Sequence, residues 1–278
     1  MTRTLAVLAL CLVAAPRAAR VSGSVVDADS GAPIPCRISI RDEKGAFHFA
    51  TSAGSAVVYK KERGGSSEGH VTLSAHPFSV ELPPGAYTIT VQRGKEYLPE
   101  TRRVEVAEQP VELAFKLKRW NDLAARGWYS GETHVHRPPE ELANLQLAED
   151  LNVAFPFSGW VLEAFKAPKE AYAADAKPVA VDATHVYYPR NTEYEIFRVG
   201  GKAHTLGALF ILGHKTPFEE GAPPLQPIVA KARAEGALLE LDKHNWPWSV
   251  AIAAAHGVDL YELANNHMWE TDFAFRDF

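Results

Sequence analysis

The chain has 278 residues, 46% of them apolar and 10% aromatic, and a net charge of -5 with both signs interspersed. That profile is a globular protein with room for two domains or one large barrel. The one basic cluster, Lys60-Lys61-Glu62-Arg63, is too short to follow a phosphate backbone, which excludes nucleic acid as an expected partner.

Residues 1–20 read as a secretory leader. Arg3 precedes an apolar run over 5–15, and small residues follow at Ala18-Ala19. The run is shorter than the roughly twenty residues that a spanning helix needs, so the expectation is a secreted or periplasmic protein with no stable membrane insertion. Removing the leader takes Cys11 with it and leaves Cys36 as the single cysteine. Stability must then come from packing and not from a disulfide.

From 21 to 118 the pattern is strand-like. Cys36-Arg37-Ile38-Ser39-Ile40 alternates, and 78–82 and 87–91 flank Pro83-Pro84-Gly85 as an expected hairpin with its apolar residues on one face. Two further strands fall at 104–106 and 111–117. Short alternating strands at this spacing predict a β-sandwich. The segment resembles the carboxypeptidase regulatory-like (prealbumin-like) module through Gly23-x-Val25 with Asp27, Gly31 and Pro33, and through Leu82-Pro83-Pro84-Gly85-x-Tyr87. Such modules are accessory, so His48, His70 and His76 are expected to be ordinary surface residues.

Residues 119–127 read as a linker, and the pattern then changes. Trp128-Tyr129-Ser130-Gly131-Glu132-Thr133-His134-Val135-His136 ends a short strand with two imidazoles two residues apart, on one face, which is half of a first-row metal site. Pro138-Pro139-Glu140-Glu141 starts a helix, with proline at the entry and acids in the first turn. An apolar run (151–156), a helix (161–173), strands at 179–181 and 205–212, a helix (227–236), a strand (237–241), a helix (249–256) and a strand (258–263) follow. That alternation predicts a parallel α/β sheet or barrel, in which chemistry gathers at the C-terminal ends of strands. Candidate polar residues do follow the strands: His185, Asp242 and His244, then Glu262 with Asn265, Asn266 and His267. Eight of the eleven histidines lie from residue 134 onward.

Gly131-Glu132-Thr133-His134-Val135-His136, Thr192-Glu193 with Gly201-x-x-His204-Thr205-Leu206-Gly207, and Leu241-Asp242-Lys243-His244 together resemble the PHP (polymerase and histidinol phosphatase) superfamily, and within it the CehA/McbA-type metallohydrolases. The resemblance covers residues 128–278. It implies a distorted (β/α)7 barrel holding two or three divalent ions (Zn, Mn or Fe) and hydrolysing phosphate esters or, in this branch, other esters and carbamates. Carried over residue by residue, it makes His134, His136, Glu193, His204 and His244 the metal ligands, with Glu195 the runner-up to Glu193. Asp242, Glu262 and His267 become catalytic or substrate-contact candidates, as does His185. Phe155-Pro156-Phe157-Ser158-Gly159-Trp160 stands where the family has Thr-Asp-His, and the closing Asp-x-His is missing, so the barrel is expected to be incomplete at its C-terminus. The expected substrate is a small or carbohydrate-related molecule. The competing expectation is a non-catalytic surface or carbohydrate-binding protein with a degenerate barrel, in which Trp246, Trp248 and Trp269 form a sugar platform or simply pack.

Overall fold

The computed structural model describes residues 17–54, 56–63, 66–242 and 249–262. The leader up to residue 16, His244, Asn265, Asn266, His267, Trp246, Trp248 and Trp269 all lie outside these described residues.

The first half is built from β1 (Ala19–Asp27), β2 (Cys36–Asp42), the two-residue β3 (Phe47–His48) and β4 (Thr51–Ser52), β5 (Ala56–Arg63), β6 (Ser66–Leu73), β7 (Phe78–Leu82), β8 (Gly85–Gln92), β9 (Glu100–Val106) and β10 (Val111–Leu117). They form two sheets, β10-β1-β7-β4 and β5-β6-β2-β8-β9 with β3 on β2. Alternation explains the layering. Val21, Phe78, Leu82 and Phe115 from the first sheet meet Ile38, Ile40, Val71, Ile89 and Val91 from the second in one buried cluster. β1 begins two residues inside the expected leader, because Ala19 is buried opposite Leu82.

The expected hairpin of 78–82 with 87–91 does not form. β7 pairs with β1 and β4, whereas β8 pairs with β2 and β9, so Pro83-Pro84 carries the chain from one sheet to the other. Two consecutive prolines supply no backbone N–H and hold φ near -65°, which suits an extended corner better than a tight reversal. The Tyr87 hydroxyl pins that corner by donating to the Pro83 carbonyl at 2.8 Å.

The second half contains β11 (Gly131–Val135), α1 (Pro139–Glu149), β12 (Val153–Pro156), β13 (Gly159–Glu163), β14 (Lys169–Glu170), β15 (Val179–Ala180), β16 (Val186–Tyr187), β17 (Asn191–Val199), β18 (Lys202–Leu212), α2 (Gln226–Glu235), β19 (Leu238–Asp242), α3 (Ser249–His256) and β20 (Leu260–Tyr261). They make a four-stranded sheet, β11-β12-β16-β15, and a six-stranded sheet, β14-β13-β17-β18-β19-β20. This corrects the expected (β/α)7 barrel: the described residues hold only three α-helices, and β17, β18 and β19 run antiparallel. Two local causes are visible. Gly200 and Gly201, at φ 59° and 76°, make a two-residue reversal between β17 and β18, and such a turn forces an antiparallel pair, since parallel strands need a crossover of a dozen residues or more. The expected helix at 161–173 is instead β13, a left-handed Phe165 (φ 64°), Pro168 and β14, because the proline and the reversed backbone stop the helical turn before it starts. Among the described residues, only β11-α1-β12 and β19-α3-β20 keep the parallel strand-helix-strand form.

α1 joins the halves. Leu142 and Ala148 are buried, and the helix lies against β2, β6 and β12. It stops at Asp150 in the left-handed conformation (φ 52°), whose carboxylate takes Arg119 at 2.7 Å and Arg93 at 3.2 Å from the sandwich side.

Candidate metal centre

The six-stranded sheet has two chemically different faces, and period-two alternation writes them. Tyr194, Ile196, Leu209, Ile211 and Leu239 point to one side and pack against Ile228 and Ala232 of α2. Register puts the intervening residues on the other side. Trp160, Glu193, Phe210 and Glu240 stand level across β13, β17, β18 and β19, and Glu195, Ala208 and Asp242 form the next level. Ala208 leaves its place in that row nearly empty, so the carboxylates of Glu195 and Asp242 can converge across it. Glu262 follows β20 beside Asp242, its N–H donating to the Leu241 carbonyl at 3.0 Å.

β11 brings the histidines to this acidic face. His136 Nε2 lies 2.9 Å from Glu193 Oε2, and His134 Nε2 lies 3.7 Å from Glu193 Oε1. His134 Nδ1 is 3.7 Å from Glu262 Oε1. A register shift between Glu132 and Val135 locally bends the strand, as bulges beside sites do. Three donor groups result: His134, His136 and Glu193; His134, Asp242 and Glu262; and Glu193, Glu195 and Asp242. Within each group the donor atoms lie within 4.8 Å of one another. Each group shares one member with each of the others, so the six side chains form one cluster.

Burial makes this cluster costly without a cation. Glu193 and Asp242 are fully buried, and Glu195 and Glu240 nearly so. Ionised carboxylates at such positions must be paired, protonated or bound to metal. Burial pushes Glu240 up to about 7, against the hydrogen bond that Thr133 Oγ1 donates to its Oε1 at 2.9 Å; the nearby carboxylates of Glu262 and Glu132 push the same way. Glu262 Oε2 and Glu240 Oε2 are buried without a hydrogen-bond partner. Imidazole nitrogen with carboxylate oxygen is the donor chemistry of Zn, Mn and Fe sites, so these residues fit a divalent-metal centre.

Aromatic rings wall the cluster. Phe210 lies 4.8 Å from the His134 ring, Phe157 is 5.8 Å from His134 and 5.2 Å from His136, and Trp160 is 5.1 Å from His136. Trp160 Nε1 also donates to Glu195 Oε2 at 3.3 Å. Phe157 and Phe210 are buried, whereas the His136 side chain is 42% exposed and Trp160 41%, so the site opens on the side of those two residues.

The structure thus brings His134, His136 and Glu193 together, and adds Glu195, Asp242 and Glu262 at ligand distance. His204 does not join them, which corrects the five-ligand set. It is exposed near the Gly200-Gly201 turn, six residues along β18 from the partner of Glu193, or roughly 20 Å of strand. His185 is also elsewhere, just before β16, with Nδ1 2.8 Å from Asp182. His214 is a core residue: it bonds Thr192 Oγ1 at 2.9 Å and the Thr216 carbonyl at 2.9 Å. Glu240, Phe157 and Phe210 escaped the sequence reading. The alternation Leu239-Glu240-Leu241-Asp242 was a usable signal for Glu240, since it puts both acids on one face.

No protein-family model matches the chain, and no curated protein does. Similar solved structures include a pilus 2b backbone protein of group B streptococcus (11% identity, 38% of this chain and 43% of that one, TM-score 0.28). They also include the Bacillus anthracis TIE protein (17% identity, 37% and 17%, TM-score 0.26) and a pilus-presented adhesin (10% identity, 38% and 28%, TM-score 0.25). The chain spans less than half the length of each. At these scores the likenesses are remote.

Proposed function

We propose that the chain is an exported metal-dependent hydrolase acting on ester, carbamate or phosphoester bonds, with His134, His136, Glu193, Glu195, Asp242 and Glu262 as its divalent-metal ligands. The observation that carries this reading is the overlap of three donor groups, two with histidine and one of carboxylates alone, in one largely buried cluster that opens at His136. Six donors in three overlapping groups are more than one ion needs from protein and are enough for two neighbouring ions. Held by these residues, divalent ions would supply an acidified water and a Lewis acid for the scissile group.

The chain's own residues supply the rest. Phe157 and Phe210 keep water from the buried side of the histidines, and the rings fix the imidazole planes by contact. Thr133 and Glu240 tie β11 to β19, so the histidines hold their place over the acidic face. A substrate enters past His136 and Trp160, where the site is open. The Trp160 indole also holds Glu195 in position through its N–H.

The test is metal content together with turnover. After reconstitution with Mn or Zn, elemental analysis is expected to find about two ions per chain. Glu193→Gln and His134→Ala should each lower both that number and the hydrolysis of p-nitrophenyl acetate, p-nitrophenyl carbamate or bis-p-nitrophenyl phosphate, the latter by about a hundredfold or more. A reconstituted protein holding no metal ends the proposal. Bound metal that never supports turnover shifts the reading to a non-catalytic binding protein.

A further inference from the structure

The two domains meet around a cleft of about 520 Å³, at the opposite end of β11 from the histidines. We propose that this cleft is a second binding site and that it takes a neutral saccharide. The argument begins with exposed aromatic surface. Trp128 is 72% exposed and Tyr129 62%, with Leu123 beside them at 41%, and all three line the cleft. Adjacent large rings left to water at the mouth of a cavity mark a recognition surface more often than a folding accident. Flat rings of this kind stack on the C–H faces of pyranose rings, leaving hydroxyls at the ring edge to reach polar groups.

The polar lining decides what chemistry can sit there. Its carboxylates are all committed: Glu96 and Asp122 face Arg119, Arg119 also reaches Asp150, Asp150 takes Arg93, and Glu149 faces Arg37, which leaves the exposed Lys95 as the lining cation with no ion pair among the described residues. A cation finds no uncommitted carboxylate there and an anion finds a single exposed lysine, Lys95, so an ionic ligand is disfavoured. A strand-like peptide is disfavoured too, because three backbone N–H groups at the cleft are already used. The Trp128 N–H donates to the Leu123 carbonyl, the Ser130 N–H to Asn152 Oδ1, and the Val153 N–H to the Ser130 carbonyl. What remains is a platform of rings above a polar, charge-balanced floor, which suits an uncharged polyhydroxyl molecule. The volume falls in the usual range for small-ligand sites and admits one or two sugar rings. Six residues of extended chain, roughly 20 Å, separate Trp128 from His134, so the cleft and the metal centre are independent sites.

Isothermal titration calorimetry on the full chain tests this with cellotetraose, maltotetraose, xylotetraose and chitotetraose. Saturable binding of at least one is expected, with Trp128→Ala and Tyr129→Ala each weakening it tenfold or more. His134→Ala should leave that affinity unchanged, which separates the outcome from the fate of the hydrolase proposal. Both aromatic side chains are largely in solvent, and unchanged circular dichroism will verify that the variants fold. Absence of heat with all four sugars overturns the proposal, as does unchanged affinity in the Trp128→Ala, Tyr129→Ala double variant. Tighter binding of an anionic probe such as heparin oligosaccharide at this cleft overturns it as well.

Discussion

Replacing Asp150 tests how the two domains are held in register. Its side chain is 7% exposed, its two oxygens each hold a different arginine (Arg93 at 3.2 Å and Arg119 at 2.7 Å), and it closes α1 in the left-handed conformation. Asp150→Ala strands the two guanidinium groups unequally. Arg119 keeps Glu96, but Arg93 loses the one ion pair it makes among the described residues, and its Nε is already buried without a hydrogen bond. Breaking a buried pair from one side costs about 3–5 kcal/mol, and the partial exposure of Arg119 and its remaining partner reduce this to about 2–4 kcal/mol here. Asp150→Asn tolerates the left-handed backbone and still accepts one hydrogen bond, so about half that loss is expected. Urea unfolding followed by tryptophan fluorescence reads the effect, since Trp120 and Trp128 flank this interface; the alanine variant should shift the midpoint by roughly 1–2 M. A loss below about 0.5 kcal/mol for Asp150→Ala, or an asparagine variant no better than alanine, refutes the assignment of this carboxylate as the clamp.

Three further outcomes are expected. Gly94 has φ 48°, and a Cβ there would lie 2.5 Å from both the Glu149 carbonyl oxygen and Asp150 Cβ, so Gly94→Ala should destabilise the junction by about 2 kcal/mol or more in the same urea assay, whereas a remote sandwich variant should not loosen α1. Burial pushes the His214 imidazole down to about 4, from about 6.5 in an unfolded chain. The unfolded state therefore takes up a proton that the folded state refuses: stability is intact above pH 6.5, falls as pH drops from 6.5 toward 4, and loses up to about 3 kcal/mol in that window, a slope that His214→Gln should flatten in pH-dependent denaturation. Burial also pushes the Cys36 thiol up to about 12, so peptide mapping after native iodoacetamide treatment should find Cys36 unmodified until denaturant is added; rapid native alkylation would show that the sandwich core opens locally.

Much of the local structure was legible because it depends on near neighbours. Alternation marked β2, β7, β8 and β10 of the sandwich but left β5 and β6 unread, Pro139 with Glu140 and Glu141 marked α1, Gly236 (φ 77°) marked the end of α2, and the spacing of His134 and His136 put two imidazoles on one face. Some local signals were there and still misread: Gly200-Gly201 is a hairpin turn in plain sight, and it is what turns the expected parallel barrel into an antiparallel β17-β18-β19 core. Other features were not local at all. Whether β7 pairs with β8 or crosses to the opposite sheet depends on which strands offer the better apolar face to Phe78 and Leu82, and no window around Pro83 contains that competition. The candidate metal centre is the clearest case. Glu195, Asp242 and Glu262 belong to the same cluster as His134 because antiparallel register sets residue 195 opposite 208 and 208 opposite 242, and parallel register continues the row toward 262. His204, equally plausible as a residue type, is carried away by the same register. Residue chemistry can nominate ligands, but only strand pairing over long sequence separations decides which of them share a face.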